Sequence, residues 1–205
     1  MQLYRPVGLI ELQRIYESGM HAFPPRFPEQ PIFYPVLNFT YAAQIARDWN
    51  TKSHSFAGYV TEFTVNDSYL AQFERRIVGG HIHEELWVPA EQLAEFNRQI
   101  LGPITVQAAY FGSGFQGYIP ERFMLKGKNA IKQFVSLARI YDHNRVDFMR
   151  EVSANSLAIF LHYPFWQQYD FSAADLLPEE KEQTLTAIAA AWQRAYPHIS
   201  LPKSQ

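Results

Sequence analysis

Between Gly79 and Pro89 the chain reads GGHIHEELWVP, two histidines and two glutamates within five consecutive positions. Two chemistries fit such a set: metal ligation, or a carboxylate held on a strand to stabilise positive charge. Strand alternation puts His81, His83, Glu85 and Trp87 on one face and Ile82, Glu84, Leu86 and Val88 on the other. The second face is mostly apolar and belongs to a core. The first is the one that lines a cleft, with Glu85 near its centre. Residues two apart on a strand are separated by roughly 6.5–7 Å, so His81 and Glu85 lie about 13 Å apart. Ligand bonds of about 2 Å cannot close that gap around one ion, so no metal site is expected. The plain alternative is an edge strand with solvated polar residues.

The elements that must position this strand can be read from the flanking sequence. LYRPV is a short strand ended by Pro6, and GLIELQRIYESG carries Leu9, Leu12, Ile15 and Tyr16 at helical spacing before Gly19. HAFPPRFPEQP, with Pro24, Pro25, Pro28 and Pro31, excludes regular structure, because proline removes donors and fixes φ. IFYPVLN returns to strand character. NFTYAAQIARDWN predicts a helix capped by Asn38 or Thr40, with Tyr41, Ile45 and Trp49 along one side and Trp49 in the core. FAGYVTEFTV alternates as a half-buried strand; AEQLAEFNRQIL is a short helix and PITVQAAYF a closing strand.

At Gly112 the texture changes. GSGFQGYIP is a glycine-rich joint, and beyond it the pattern is helical: KNAIKQFVSLARIY, then RVDFMREVSANSLAIFLHYPFW as far as Pro164, then PEEKEQTLTAIAAAWQRAYP between Pro178 and Pro197. The expected architecture is an α+β domain over residues 1–111, followed by a helical C-terminal module over residues 118–205 of about three helices.

Composition narrows the function classes. There is no cysteine in the 205 residues, which excludes disulfides, thiolate metal sites and a cysteine nucleophile. The formal charge of −2 gives no global pull toward nucleic acid or an anionic membrane. No apolar run approaches a bilayer span and no leader pattern opens the chain, so a cytoplasmic protein without a membrane partner is expected. Two local features stand apart. FLHYPFWQQYDF, residues 160–171, has the aromatic density of a protein-partner surface or of internal packing. FMLKGKNAIKQF concentrates three lysines, suited to nucleic acid or to a solvated helix face.

The order LYRPV, helix, proline loop, IFYPVLNFTYAAQIARDW, GYVTEFTV, EELWVP, PITVQAAYF resembles the ADP-ribosyltransferase fold, most closely its poly(ADP-ribose) polymerase and diphtheria-toxin branch. The resemblance covers residues 1–111 and none of the helical part. It implies a split mixed or antiparallel sheet with short helices, and NAD as co-substrate. It further implies transfer of ADP-ribose, with nicotinamide release, to an unidentified acceptor that is protein, nucleic acid or small molecule. Carried over by position, it implies Arg5 on the first strand facing NAD, Tyr34 or Phe33 as the ring that stacks on nicotinamide, and Glu85 as the catalytic carboxylate. Arg26 in the proline loop would meet the pyrophosphate, and His83 is counted with the NAD-binding residues, either as an ordinary strand histidine or as one that orients Glu85. Arg5 stands where the polymerase branch has histidine, and the serine-threonine-serine strand of the arginine branch is absent. The chemistry suits these residue types. Cleavage of the nicotinamide–ribose bond builds oxocarbenium character that a carboxylate stabilises, arginine offers a planar fork of donors, and an aromatic ring stacks. The alternatives are a non-enzymatic binding module on the same fold and an ADP-ribose-processing hydrolase.

Overall fold

Apolar side chains alternating along residues 57–65 build the middle strand of the first of two sheets. This computed structural model describes residues 1–204, which separate into two units, Met1–Ser113 and Gly114–Ser204. The protein is α+β, with every strand in the first unit.

In the first unit, β1 (Gln2–Val7), β3 (Ala57–Val65) and β6 (Ile100–Phe111) form one sheet in the order β1-β3-β6. The second sheet is β2-β5-β4, from β2 (Ile32–Phe33), β4 (Glu74–Ile77) and β5 (Glu84–Pro89). All these pairings are antiparallel. Helix α1 (Leu9–Glu17) follows β1, and α2 (Phe39–Asp48) precedes β3. Helix α2 starts at Asn38, whose side chain accepts from the Tyr41 amide at 2.8 Å and donates to the Ile82 carbonyl at 2.5 Å, tying the helix to the turn before β5. On β3 the even positions face α2. Gly58 is required there, since a Cβ would stand 2.0 Å from the Ala46 carbonyl oxygen. The odd positions face an aromatic core in which Phe23, Phe33, Phe63 and Phe96 meet edge to face or tilted.

Two short elements fill the stretch between β3 and the histidine-rich turn: α3 (Asp67–Leu70) and β4. Helix α4 (Leu93–Arg98) leads into β6. Trp49, expected in the core, closes the C-terminus of α2 and is 54% exposed. The stripe of α2 is completed instead by Tyr41, Ala42, Ala43 and Ala46, small enough for close approach to β3.

The second unit holds four α-helices among the described residues, not about three: α5 (Ala130–His143), α6 (Arg145–Ala154), α7 (Ser156–Gln168) and α8 (Pro178–Ala195). The long pattern from Arg145 onward breaks at Asn155, and Pro164 lies buried inside α7 instead of ending it. A helix apolar on all sides is held by packing, which here outweighs the hydrogen bond that the proline forfeits. The rings of segment 160–171 supply that packing. Phe134 stacks on Phe171 at 4.5 Å, and the Trp166 indole donates to the Ala130 carbonyl at 2.8 Å. Phe160, Phe165, Trp166 and Phe171 are buried, so these four rings form part of a core. Among the described residues no helix is long and apolar enough to cross a membrane.

Candidate functional site

The two sheets of the first unit are joined by one residue. Val36 bridges β1 at Tyr4 and β5 at Glu85, and its N–H and C=O exchange hydrogen bonds with Tyr4 at 2.8 and 2.9 Å. Continuing that register by two residues brings Pro6 opposite Tyr34. Proline has no N–H to give, so the ladder stops and the sheets part there. The Tyr34 carbonyl, left without a strand partner, accepts from the Arg5 guanidinium at 3.2 Å. Arg5 therefore fills the split itself. It is buried, its Nε donates to Glu11 at 2.6 Å and a second nitrogen to the other carboxylate oxygen at 3.3 Å, and it lies 4.5 Å over the Phe33 ring.

On the α1 side of the split is a cavity of about 360 Å³ lined by Arg5, Glu11, Arg14, Arg26, His54 and Ser55, among others. Glu11 pairs with Arg5, and among the described residues neither Arg14 nor Arg26 forms an ion pair. The Arg26 Nε is buried and has no hydrogen-bond partner. Burial, with the positive charge of Arg5 nearby, lowers the pKa of that guanidinium. An anion in the cavity would relieve both. The segment at the rim carries strain as well: His54, which lines the cavity, and Phe56, two residues on, hold φ of +53° and +54°, left-handed values unusual for side chains of their size.

Glu85 lies on the other side. Residues opposite one another in an antiparallel pair point to the same face, so Glu85 shares the face of Val36 and Tyr4, whereas Arg5 faces away from it. Glu85 is buried and accepts from the Trp87 indole N–H at 2.9 Å. Trp87 meets the Tyr34 ring edge-on at 5.4 Å and is covered on one face by the Arg76 guanidinium at 3.7 Å. Two strand spacings separate β1 from β5 at the bridge, about 10 Å between backbones. Tyr34 connects the two sides. Its carbonyl binds Arg5 and its ring meets Trp87.

The structure thus gathers Arg5, Tyr34, Arg26 and Glu85 around one split, with Arg5 and Glu85 on opposite faces. Phe33 is wholly buried beneath Arg5 and offers no free stacking face, because the aromatic core claims it. The strand begins only at Glu84, so the alternation from His81 to Trp87 holds for Glu85 and Trp87 alone. Gly79 and Gly80 bend the chain into a turn closed by the His83 amide to the Gly80 carbonyl at 2.9 Å. The His83 ring stacks on Tyr41 at 4.4 Å and reaches Gln44 at 3.0 Å, so it touches α2 and not Glu85. On Tyr41, burial and then the charge of Glu85 raise the hydroxyl pKa. Sequence reasoning missed Glu11, Arg14, Trp87 as the partner of Glu85, and Arg76. The one available signal was Glu11, six residues after Arg5 and on the first turn of a legible helix. Among the described residues no three His, Asp or Glu side chains are grouped as metal ligands.

No protein-family model, curated protein or solved structure matches the chain.

Proposed function

We propose that the first unit binds NAD and transfers its ADP-ribose to an acceptor with release of nicotinamide. The observation that carries this reading is the split itself, where an arginine-lined cavity and a buried carboxylate stand on either side of one tyrosine. NAD is a long ligand with an anionic pyrophosphate at its middle and a ribose-linked cationic ring at one end, and such a site suits it. Arg26 and Arg14 would hold the pyrophosphate. Arg5, bound to Glu11 and the Tyr34 carbonyl, would position Tyr34. The Tyr34 ring, braced by Trp87, would stack on nicotinamide. Glu85 would accept a ribose hydroxyl hydrogen bond and stabilise the oxocarbenium as the C–N bond breaks. The bonding electrons leave with nicotinamide, which departs neutral, and the acceptor bonds the ribose carbon and loses its proton.

One observation favours a second reading, a binding module without chemistry: Arg5 has its donors committed within the protein and faces away from Glu85. Titration calorimetry with NAD, paired with a nicotinamide-release assay, separates the two. Glu85→Gln should keep NAD binding and lower release about 100- to 1000-fold, the usual effect of removing a charge that acts in the transition state. Arg26→Ala should weaken binding, and Glu84→Gln, with its side chain on the other face of β5, should leave both unchanged. Binding without release by the wild type would establish the second reading, and no binding would remove NAD altogether.

A further inference from the structure

We propose that residues 119–128 of the second unit form a contact for the surface of an anionic phospholipid membrane. Ile119, Phe123 and Met124 are 43%, 56% and 54% exposed within six residues of one loop, a concentration of apolar surface that water disfavours. The loop is built to hold them out. Leu125 and Pro120 are buried and anchor it, and the Gly127 amide donates to the Pro120 carbonyl at 2.9 Å. The buried carboxylate of Glu151, on α6, accepts from the Met124 amide at 3.2 Å. Lys128 Nζ donates to the Met124 carbonyl. Phe123 takes a φ of +55°, a left-handed conformation that a bulky side chain adopts only under constraint. A strained, exposed Phe123 thus sits directly before a backbone amide held by a buried carboxylate.

The occupant follows from the charges around this tip. Residues 118–132 carry Arg122, Lys126, Lys128 and Lys132 against the single acid Glu121, in a chain whose net charge is −2. Arg122, Lys126 and Lys132 are exposed, and none has an acidic partner among the described residues. Apolar side chains flanked by cations match a lipid surface with negative headgroups, the chains entering below the headgroups and the cations remaining among them. Single-stranded nucleic acid would use the same cations, but it calls for stacking rings, and Met124 and Ile119 are aliphatic. A peripheral contact of this kind needs no spanning segment, so it departs from the sequence-based expectation of no membrane partner without needing one.

The test is co-sedimentation of the full chain with vesicles of phosphatidylcholine alone and with about 30% phosphatidylserine added. Binding is expected to the anionic vesicles only and to weaken with salt. The double variant Phe123→Ser, Met124→Ser should lose at least tenfold in partitioning, and Lys126→Glu more than the roughly fivefold expected for one lost charge. These positions are exposed, so unchanged circular dichroism should confirm that the variants fold. Failure of the wild type to bind anionic vesicles would overturn the proposal, as would equal binding by the double variant. So would retention of a single-stranded oligonucleotide, sensitive to Lys126→Glu, in place of vesicles.

Discussion

His162 is wholly buried in α7, and burial pushes its pKa down to about 3. It is kept neutral by a matched pair of bonds: the Tyr118 amide donates to Nε2 at 2.8 Å, and Nδ1 meets the Gln133 side-chain oxygen at 3.0 Å. Gly117, at φ +78°, makes room, since a Cβ there would stand 2.4 Å from Nε2. The consequence for stability has a definite sign. The folded pKa lies below the unfolded value of 6.5, so the unfolded chain takes up the proton first and stability falls as pH drops below that value. The loss is about 1.4 kcal/mol for each pH unit, roughly 2 kcal/mol by pH 5. Urea denaturation between pH 7 and 5 should show this slope for the second unit. His162→Gln should be less stable at pH 7 and flatter toward acid; an unchanged slope would mean that another group controls the acid limb.

At the level of elements, the decisive feature is where β1 stops pairing. One proline ends the ladder, parts the sheets and leaves the Tyr34 carbonyl to Arg5. Replacing Pro6 with valine would restore an N–H facing that carbonyl. The amide of residue 6 should then be protected from hydrogen exchange, and the Arg5 contact to Tyr34 should be displaced. Loss of the proline also loosens the unfolded chain, at a cost of about 0.4–1 kcal/mol that one new hydrogen bond roughly offsets. An unprotected amide at residue 6 would show that the split has another cause, such as the packing of Arg5 on Phe33. Helix boundaries in the second unit follow the same local logic. Asn144 both ends α5 and caps α6, its side chain accepting from Val146 and Asp147.

For the molecule as a whole, each unit has its own core. The first is centred on Phe23, Phe33, Phe63 and Phe96, and the second on Phe134, Phe160, Trp166 and Trp192. Fragments 1–113 and 114–205 should therefore each unfold cooperatively when expressed separately, with sigmoidal melts. A fragment lacking a cooperative transition would mean that its core is incomplete alone. If the NAD reading holds, the first fragment should retain NAD binding, and the vesicle contact should travel with the second.

Much of this was legible in the residue order. Local signals act over a few residues, so the alternation of Ala57–Val65, the Asn38 cap, the proline loop and Pro178 opening α8 each located an element. The face shared by Glu85 and Trp87 came from the same alternation. What only the tertiary structure decided depends on residues far apart in the chain. Arg5 is bound to Glu11 and Tyr34, because a buried guanidinium must find acceptors wherever the fold brings them. Phe33 belongs to the core because Phe23 and Phe96 arrive there from other segments. Trp49 is exposed because α2 approaches β3 through its alanines, a choice set by Gly58 on another element. His83 leaves the strand because two glycines turn the chain before it, and its ring finds Tyr41 on α2. Periodicity says which face a residue takes; only the packed chain says what that face meets.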